Sequence, residues 1–298
     1  MLAIVPFLNE EHYLGTFLES LAQETRPPDR LLLVDDGSAD RSPELAAAFA
    51  CEHPHAEVLH RRAQPPLADR LAGAPEWQAF GWALERTPVT YDIVAKLDAD
   101  LRLTGELFAE VERRFDADPR LGMAGAYLVE RNAADMLVPH PCPTGHVEGA
   151  TKFYRRACLE AISPVPPILG WDTLDEVRAR LNGWRTESFA IPSGAPEHLR
   201  RMGSYDGVLR GFRRAGAAAW GYGAHPGQVV VSAIARMPAR PRPLCGVHYL
   251  VGWAVAALRR APRAEPAARD LLRCEQRARR RAKIRGFSGS DDRRAGRV

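Results

Sequence analysis

Cysteine is scarce in this chain: 298 residues hold five (Cys51, Cys142, Cys158, Cys245, Cys274), odd in number and without a Cys-x-x-Cys spacing. That excludes a disulfide framework and points to a reducing cytoplasm. Long apolar runs are missing as well. Leu244 to Leu258 carries no charge but stops at 15 residues, short of the roughly 20 that a helix needs to cross a bilayer. At the amino end a short apolar run meets Asn9-Glu10-Glu11 without a basic lead, so no leader peptide is expected and the chain begins on a strand. An excess of one charge is also lacking, since 41 Lys and Arg against 37 Asp and Glu leave only +4. The balance hides an asymmetry. From Arg259 onward 14 basic residues face 5 acidic ones, a local +9, so residues 1–258 carry −5. The body is mildly acidic and the tail is basic.

What is present suffices for one large α/β domain with an appendage, because 46% of the 298 residues are hydrophobic. The central stretch is Ile93-Val94-Ala95-Lys96-Leu97, which ends in Asp98-Ala99-Asp100. A buried strand there delivers both carboxylates to the carboxyl edge of a sheet, where open α/β folds bind ligands. Two acids one residue apart repel unless a cation lies beside them. Such oxygen ligands suit Mg²⁺ or Mn²⁺, with substrate phosphates completing the coordination. Arg30 to Val34 ends in the same manner, in Asp35-Asp36-Gly37-Ser38-Ala39-Asp40. Part of that run forms a turn and a helix cap, which leaves Asp36 for a ligand.

Taken in order, Val5-Pro6-Phe7-Leu8-Asn9-Glu10-Glu11, Leu33 to Asp40 and Leu97-Asp98-Ala99-Asp100 resemble the family 2 glycosyltransferases of the GT-A fold. The resemblance covers about the first third of the chain and weakens towards Arg185. It implies an α/β fold with a Rossmann-like, mostly parallel sheet flanked by helices. It also implies an inverting, metal-assisted transfer of one sugar from a nucleotide-sugar donor, of UDP type, to a hydroxyl of an envelope glycan or lipid-linked saccharide. Donor contacts would fall on Pro6, Asn9, Glu10, Asp36 and Asp98, and metal contacts on Asp98 and Asp100. Gly149 to Arg156 is similar to the family's small-residue stretch beside the donor sugar, which adds Gly149 and Arg155.

Gly170 to Arg185 looks like the family segment in which an acidic pair opens a helix closed by a Gly-aromatic-Arg turn. That match puts the general base at Asp172, although Trp171 stands where the first acid is usual, and a helix-capping role explains Asp172 equally well. Some GT-A enzymes complete the metal site with a late histidine. Of His198 and His225, the latter is the candidate.

Apolar spacing predicts the elements around these motifs. Leu14, Phe17, Leu18 and Leu21 mark a helix stopped by Arg26-Pro27-Pro28. A helix over 41–51, a strand over 57–60, a loop over 61–75 and a helix over 76–86 follow. Strand and helix alternate, which predicts a parallel, right-handedly connected sheet. Thr104 and Gly105 open a helix through Phe115, 123–129 reads as a strand, and Gly149 to Arg156 leads into a helix ending at Ile162. His140 and His146 sit in a proline-rich stretch whose spacing supports no metal site.

The expected organisation is a catalytic domain over 1–237, a basic helical appendage over 238–286 and a disordered tail over 287–298. Tyr249, Trp253 and the arginines after Leu258 fit either a helix on an anionic membrane surface, through 244–285, or one docked on the domain or on a partner. Specific nucleic-acid binding is not expected, since no base-reading aromatics interleave the basic run. The chain is expected in the cytoplasm, peripheral on the inner membrane face. Two rival readings remain: a binding module without turnover, and an Asp-x-Asp phosphatase, which would carry its motif on the first strand. The Gln-x-x-Arg-Trp element of processive synthases is absent after Asp172, which favours transfer of one sugar.

Overall fold

The computed structural model describes residues 1–62, 69–87, 90–132, 134–140, 142, 145–200 and 207–278. Its first part alternates as expected: β1 (Leu2–Phe7), α1 (Leu14–Ala22), β2 (Arg30–Asp35), α2 (Ser42–Glu52), β3 (Ala56–His60), α3 (Pro75–Arg86) and β4 (Ile93–Leu97). β5 (Leu101–Arg102), α4 (Leu107–Ala117), β6 (Leu121–Ala126), β7 (Val129–Arg131) and β8 (Leu137–Pro139) follow. Then come β9 (Thr151–Arg155), α5 (Arg156–Ile162), α6 (Trp171–Leu181), β10 (Arg185–Phe189) and β11 (Glu197–His198). The last elements are α7 (Val208–Gly221), α8 (Pro226–Arg236), α9 (Leu244–Leu258) and a helix over 266–278.

Seven strands form the main sheet in the order β10-β6-β9-β4-β1-β2-β3. The chain reverses its direction of sheet growth between β1 and β4, and their carboxyl ends are where such a sheet opens a binding crevice. The ladder between these two strands runs from Leu2 to Ile4. Pro6, which has no N–H to give, lies beyond it and faces the crevice. Helices cover both faces. Phe17, Phe108 and Phe153 fill one core, and Phe80, Trp77 and Tyr154 the other. Each fully buried ring is worth about 1.5–3 kcal/mol of transfer free energy.

β9 was not expected. The run Thr151-Lys152-Phe153-Tyr154-Arg155 pairs antiparallel with β4, where the sequence reads as a lead-in to a helix. A lysine in mid-strand hides the alternation, yet Lys152 is wholly buried and lies with Tyr154 on the α6 face. A small second sheet, β5-β11-β7-β8, adds another unexpected link. Its two-residue bridge sets His198 opposite Leu101 and thereby returns the late chain to the Asp-x-Asp motif.

The expected boundary at 237/238 does not separate packing units. α9 crosses α7 so closely that a Cβ on Gly216 would lie 1.9 Å from the Tyr249 carbonyl oxygen, and one on Gly252 1.9 Å from that of Arg213. The helix over 266–278 docks on α6, with Ala268 and Leu272 against Leu174 and Val177. Arg178 pairs with Glu265 at 2.8 Å and Arg180 with Glu275 at 2.8 Å. For residues 265–278, docking on the domain is therefore what the structure shows. Residues 279–286 of the expected appendage and the tail over 287–298 lie outside the described residues.

Candidate active site

A cleft of about 430 Å³ opens at the carboxyl ends of β1, β2 and β4. Pro6, Glu10, Asp36, Lys96, Asp98, Asp100, Gly149, Asp172, His198 and Arg200 all line it. Most of the residues read from the sequence meet there.

The turn after β2 divides its acids between two tasks. Asp35 accepts from the Ser38 amide at 2.8 Å and Asp40 from the Ser42 amide at 3.0 Å, so these two hold the turn and the start of α2. Asp36 is buried at the cleft floor and accepts from Arg61 Nη1 at 2.7 Å. Asn9 does not line the cleft. It takes a left-handed conformation (φ 53°), and its Oδ1 accepts from the Ala39 amide at 2.8 Å, which splices the β1 loop to the β2 loop. A short amide side chain tolerates that backbone. Its expected donor contact gives way to a bracing role.

The Asp-x-Asp acids lie beside a histidine, and it is His198. One ligand atom from each of Asp98, Asp100 and His198 falls within 4.8 Å of the others. His198 Nε2 stands 3.6 Å from Asp100 and 4.0 Å from Asp98. His225 caps α8 instead, accepting from the Gly227 amide at 3.1 Å. The prediction of His225 therefore needs correcting. The β5–β11 bridge brings His198 back to the motif, and no sequence spacing signals it.

Burial pushes the Asp100 carboxyl above its usual range, His198 opposes this and Asp98 adds to it. Burial also drives Glu10 up to about 7, with Arg200 opposing and the carboxylates of Asp100 and Asp98 assisting. The mouth of the cleft thus concentrates negative charge. Two carboxylates and an imidazole brought this close together fit a divalent cation of the Mn²⁺ or Mg²⁺ type.

Two cationic side chains stand beside these acids. Lys96, 1% exposed, pairs with Asp98 and donates to the Gly149 carbonyl at 3.0 Å. Arg200 pairs with Glu10 and lies 3.5 Å from Asp100. Arg155, in contrast, sits at the far end of β9, opposite Ile93. Its guanidinium donates to the carbonyls of Phe115 (2.7 Å), Leu121 (3.0 Å) and Asp118 (3.1 Å), closing the end of α4. The expected donor contact of Arg155 is replaced by this structural one, because β9 runs away from the cleft.

Asp172 lies in the first turn of α6, and its carboxylate would be 3.5 Å from a Cβ on Gly149. Beneath it is a wholly buried network. Lys152 donates to the Asp172 carbonyl and to Asp175 Oδ1 (2.6 Å), and Tyr154 donates to Asp175 Oδ2 (2.6 Å). Asp175 thus anchors the helix and does not face the cleft. Trp171, the residue in place of the usual acid, stacks on Trp77 with centroids 4.4 Å apart. Both Lys96 (5.5 Å) and Lys152 (5.3 Å) approach its ring. Its indole N–H donates to Glu76 at 2.9 Å, and burial raises the Glu76 carboxyl, with Lys96 opposing. Glu76 lines the cleft and went unread in the sequence, where it passes for an acid at a helix start.

With the geometry in hand, the relatives are informative. Residues 2–140 match the family model described as glycosyl transferase family 2. The chain is 37% identical over 100 residues to an undecaprenyl-phosphate mannosyltransferase of Micrococcus luteus, covering 34% of this chain and 37% of that protein. Over 128 residues it is 29% identical to a polyprenol monophosphomannose synthase of Mycolicibacterium smegmatis, covering 43% and 45%. The matches thus span less than half the length of these curated relatives. Among solved structures, a mannosyltransferase of Pyrobaculum calidifontis in complex with GDP-Man and Mn²⁺ is similar at a TM-score of 0.54 and 19% identity, covering 93% of this chain and 79% of that one. S. aureus TarS 1–349 with UDP-GlcNAc gives 0.52 and 16%, covering 86% and 71%. The fold is that of the GT-A glycosyltransferases.

Proposed function

We propose that the protein is a metal-dependent glycosyltransferase that moves one sugar from a nucleotide-sugar donor to a lipid-linked acceptor at the inner membrane face. The observation that carries this is the meeting of Asp98, Asp100, His198 and Asp172 in one cleft at the switch point of the sheet. Asp98, Asp100 and His198 would hold the cation, which supplies charge for the departing diphosphate, a contribution of several kcal/mol. Asp36, which lines the cleft, would contact the base, and Arg200 can trade Asp100 for phosphate oxygens. Asp172 would take the proton of an acceptor hydroxyl, a general-base effect of about 10²- to 10⁴-fold. The network of Lys152, Tyr154 and Asp175 holds the turn that carries it.

The names of the curated relatives favour a second reading of the acceptor, a polyprenyl phosphate itself. A phosphate monoester, with a second pKa of about 6, is ionised at neutral pH and needs no base. Asp172→Asn separates the two. Turnover onto a hydroxyl acceptor falls by about 10²-fold or more, whereas turnover onto a lipid phosphate persists.

The donor is tested by thermal shift with UDP, GDP, dTDP or CDP, each with Mn²⁺ or EDTA, on the parent and Asp100→Asn. A metal-dependent rise for one nucleotide, lost in the variant, is the expected result. No rise with any nucleotide would overturn the donor site.

A further inference from the structure

The C-terminal helices differ in surface from the rest of the molecule. Among the described residues, seven of the eleven exposed large hydrophobic side chains lie on α8 and α9. α8 presents Val230, Val231 and Ile234, and α9 presents Val247 and Val251 on one stripe that ends at Leu258, which is 84% exposed. The opposite faces are spent on packing. Val229 and Ala233 are buried on α8, as are Cys245, Tyr249 and Ala256 on α9. The two helices touch so closely that a Cβ on Gly246 would lie 2.4 Å from the Ala233 carbonyl oxygen. Their apolar faces therefore belong to one adjoining pair.

Charge says what such a pair would meet. Residues 207–264 contain nine arginines and no acidic residue. Arg240 and Arg242 lie exposed in the turn between the two helices, and Arg259 and Arg260 lie exposed just past Leu258. Apolar side chains flanked by cations, with no carboxylate, complement an anionic lipid surface. No described helix is long and apolar enough to cross a membrane. A second copy of this chain would set arginines against arginines.

Position adds a further argument. α7, on which α9 packs, also lines the cleft through Gly211 and Arg214. A surface seated on α8 and α9 would lie one helix away from the cleft.

We propose that the exposed faces of α8 and α9 form a lipid-binding platform that seats the protein on an anionic leaflet, with Arg240, Arg242, Arg259 and Arg260 at the headgroups. The platform deepens the lipid-acceptor reading and rests on it only for its purpose. It includes α8, which the sequence did not suggest, and it excludes the docked helix over 266–278.

The full-length protein is floated with vesicles of phosphatidylcholine alone or of equal parts phosphatidylcholine and phosphatidylglycerol, without donor or acceptor. The parent floats with the anionic vesicles and dissociates as salt rises. Val231→Glu with Val247→Glu lowers binding by about tenfold or more, while Arg259→Gln lowers it by about fivefold. Both variants keep their Mn²⁺-dependent nucleotide shift, which shows that they fold. Failure of the parent to float, or variants that float as the parent does, overturns the platform. A dimer by light scattering that the double variant dissociates gives the face to a second copy and also overturns it. Vesicle binding without any turnover defeats only the transferase reading, and turnover onto a soluble acceptor without vesicle binding defeats only the platform.

Discussion

The cleft and the C-terminal helix unit are built from opposite materials. At the cleft, charges are buried and cancel one another: Lys152 and Asp175 are fully inaccessible and Lys96 nearly so. Two of the three lysines in the whole sequence are spent there. In the helix unit small residues let backbones touch, as at Gly216 and Gly252, and over residues 207–264 charge is of one sign. The first arrangement fixes side chains in place, because an unpaired buried charge is costly. The second fixes only backbones and leaves a surface free to meet something else.

Substitutions can break this contrast from either side. The largest effect is expected at the buried pair. Lys152→Met leaves Asp175 uncompensated and should cost about 3–5 kcal/mol, read as a lower urea midpoint, with Mn²⁺-dependent nucleotide binding weakened as the turn at Asp172 loosens. Next comes the cation cluster. His198→Ala should lower kcat/KM by about 10²- to 10³-fold with little change in stability, whereas His225→Ala, a helix cap, should leave turnover unchanged. Steady-state kinetics of the pair decide between the two histidines. In the helix unit Gly252→Leu drives a side chain into the Arg213 carbonyl and should cost about 1–3 kcal/mol. If the two regions are as separate as their chemistry suggests, thermal shift will show a lower baseline but the same increment on adding nucleotide and Mn²⁺.

The smallest effect concerns the docked helix over 266–278. Burial raises the Glu265 carboxyl, but the hydrogen bond from Arg178, a backbone hydrogen bond and the Arg178 charge together outweigh it, so the folded value lies below the ordinary 4.5. A depressed carboxyl contributes stability that is full above its unfolded value and is lost as pH falls through the folded one. The pair is partly exposed, so the contribution is only about 0.2–1 kcal/mol. Urea midpoints of the parent and Glu265→Gln should differ at pH 6 and converge at pH 3.

Several elements declared themselves locally. β2 and β4 are apolar runs that end in acids, and the alternation of β1, β2 and β4 with α1, α2 and α3 leaves little choice but a parallel sheet whose cleft edge carries Asp36 and Asp98. Asp172 comes into view through the resemblance of Gly170 to Arg185 to a family segment, and it lines the cleft. The residues that were misread depend on contacts between distant segments. Arg155 lies far from the donor side because it ends a strand, and that strand is hidden in the sequence by Lys152, a mid-strand charge whose buried partner is Asp175. Glu76 looks like any acid at a helix start until Trp171 turns towards it.

The sequence by itself determined the class of fold, the sheet edge at which the cleft opens and several of the acids that line it, since these follow from periodicity and from where apolar runs stop. Tertiary structure alone decided that His198 and not His225 joins Asp98 and Asp100, and that the basic helix docks while α8 and α9 keep an apolar face outward. The reason is physical. Periodicity says that a side chain has a buried face, but which partner covers it is set by pairings such as β5 with β11, and these cost chain entropy that only the completed fold repays.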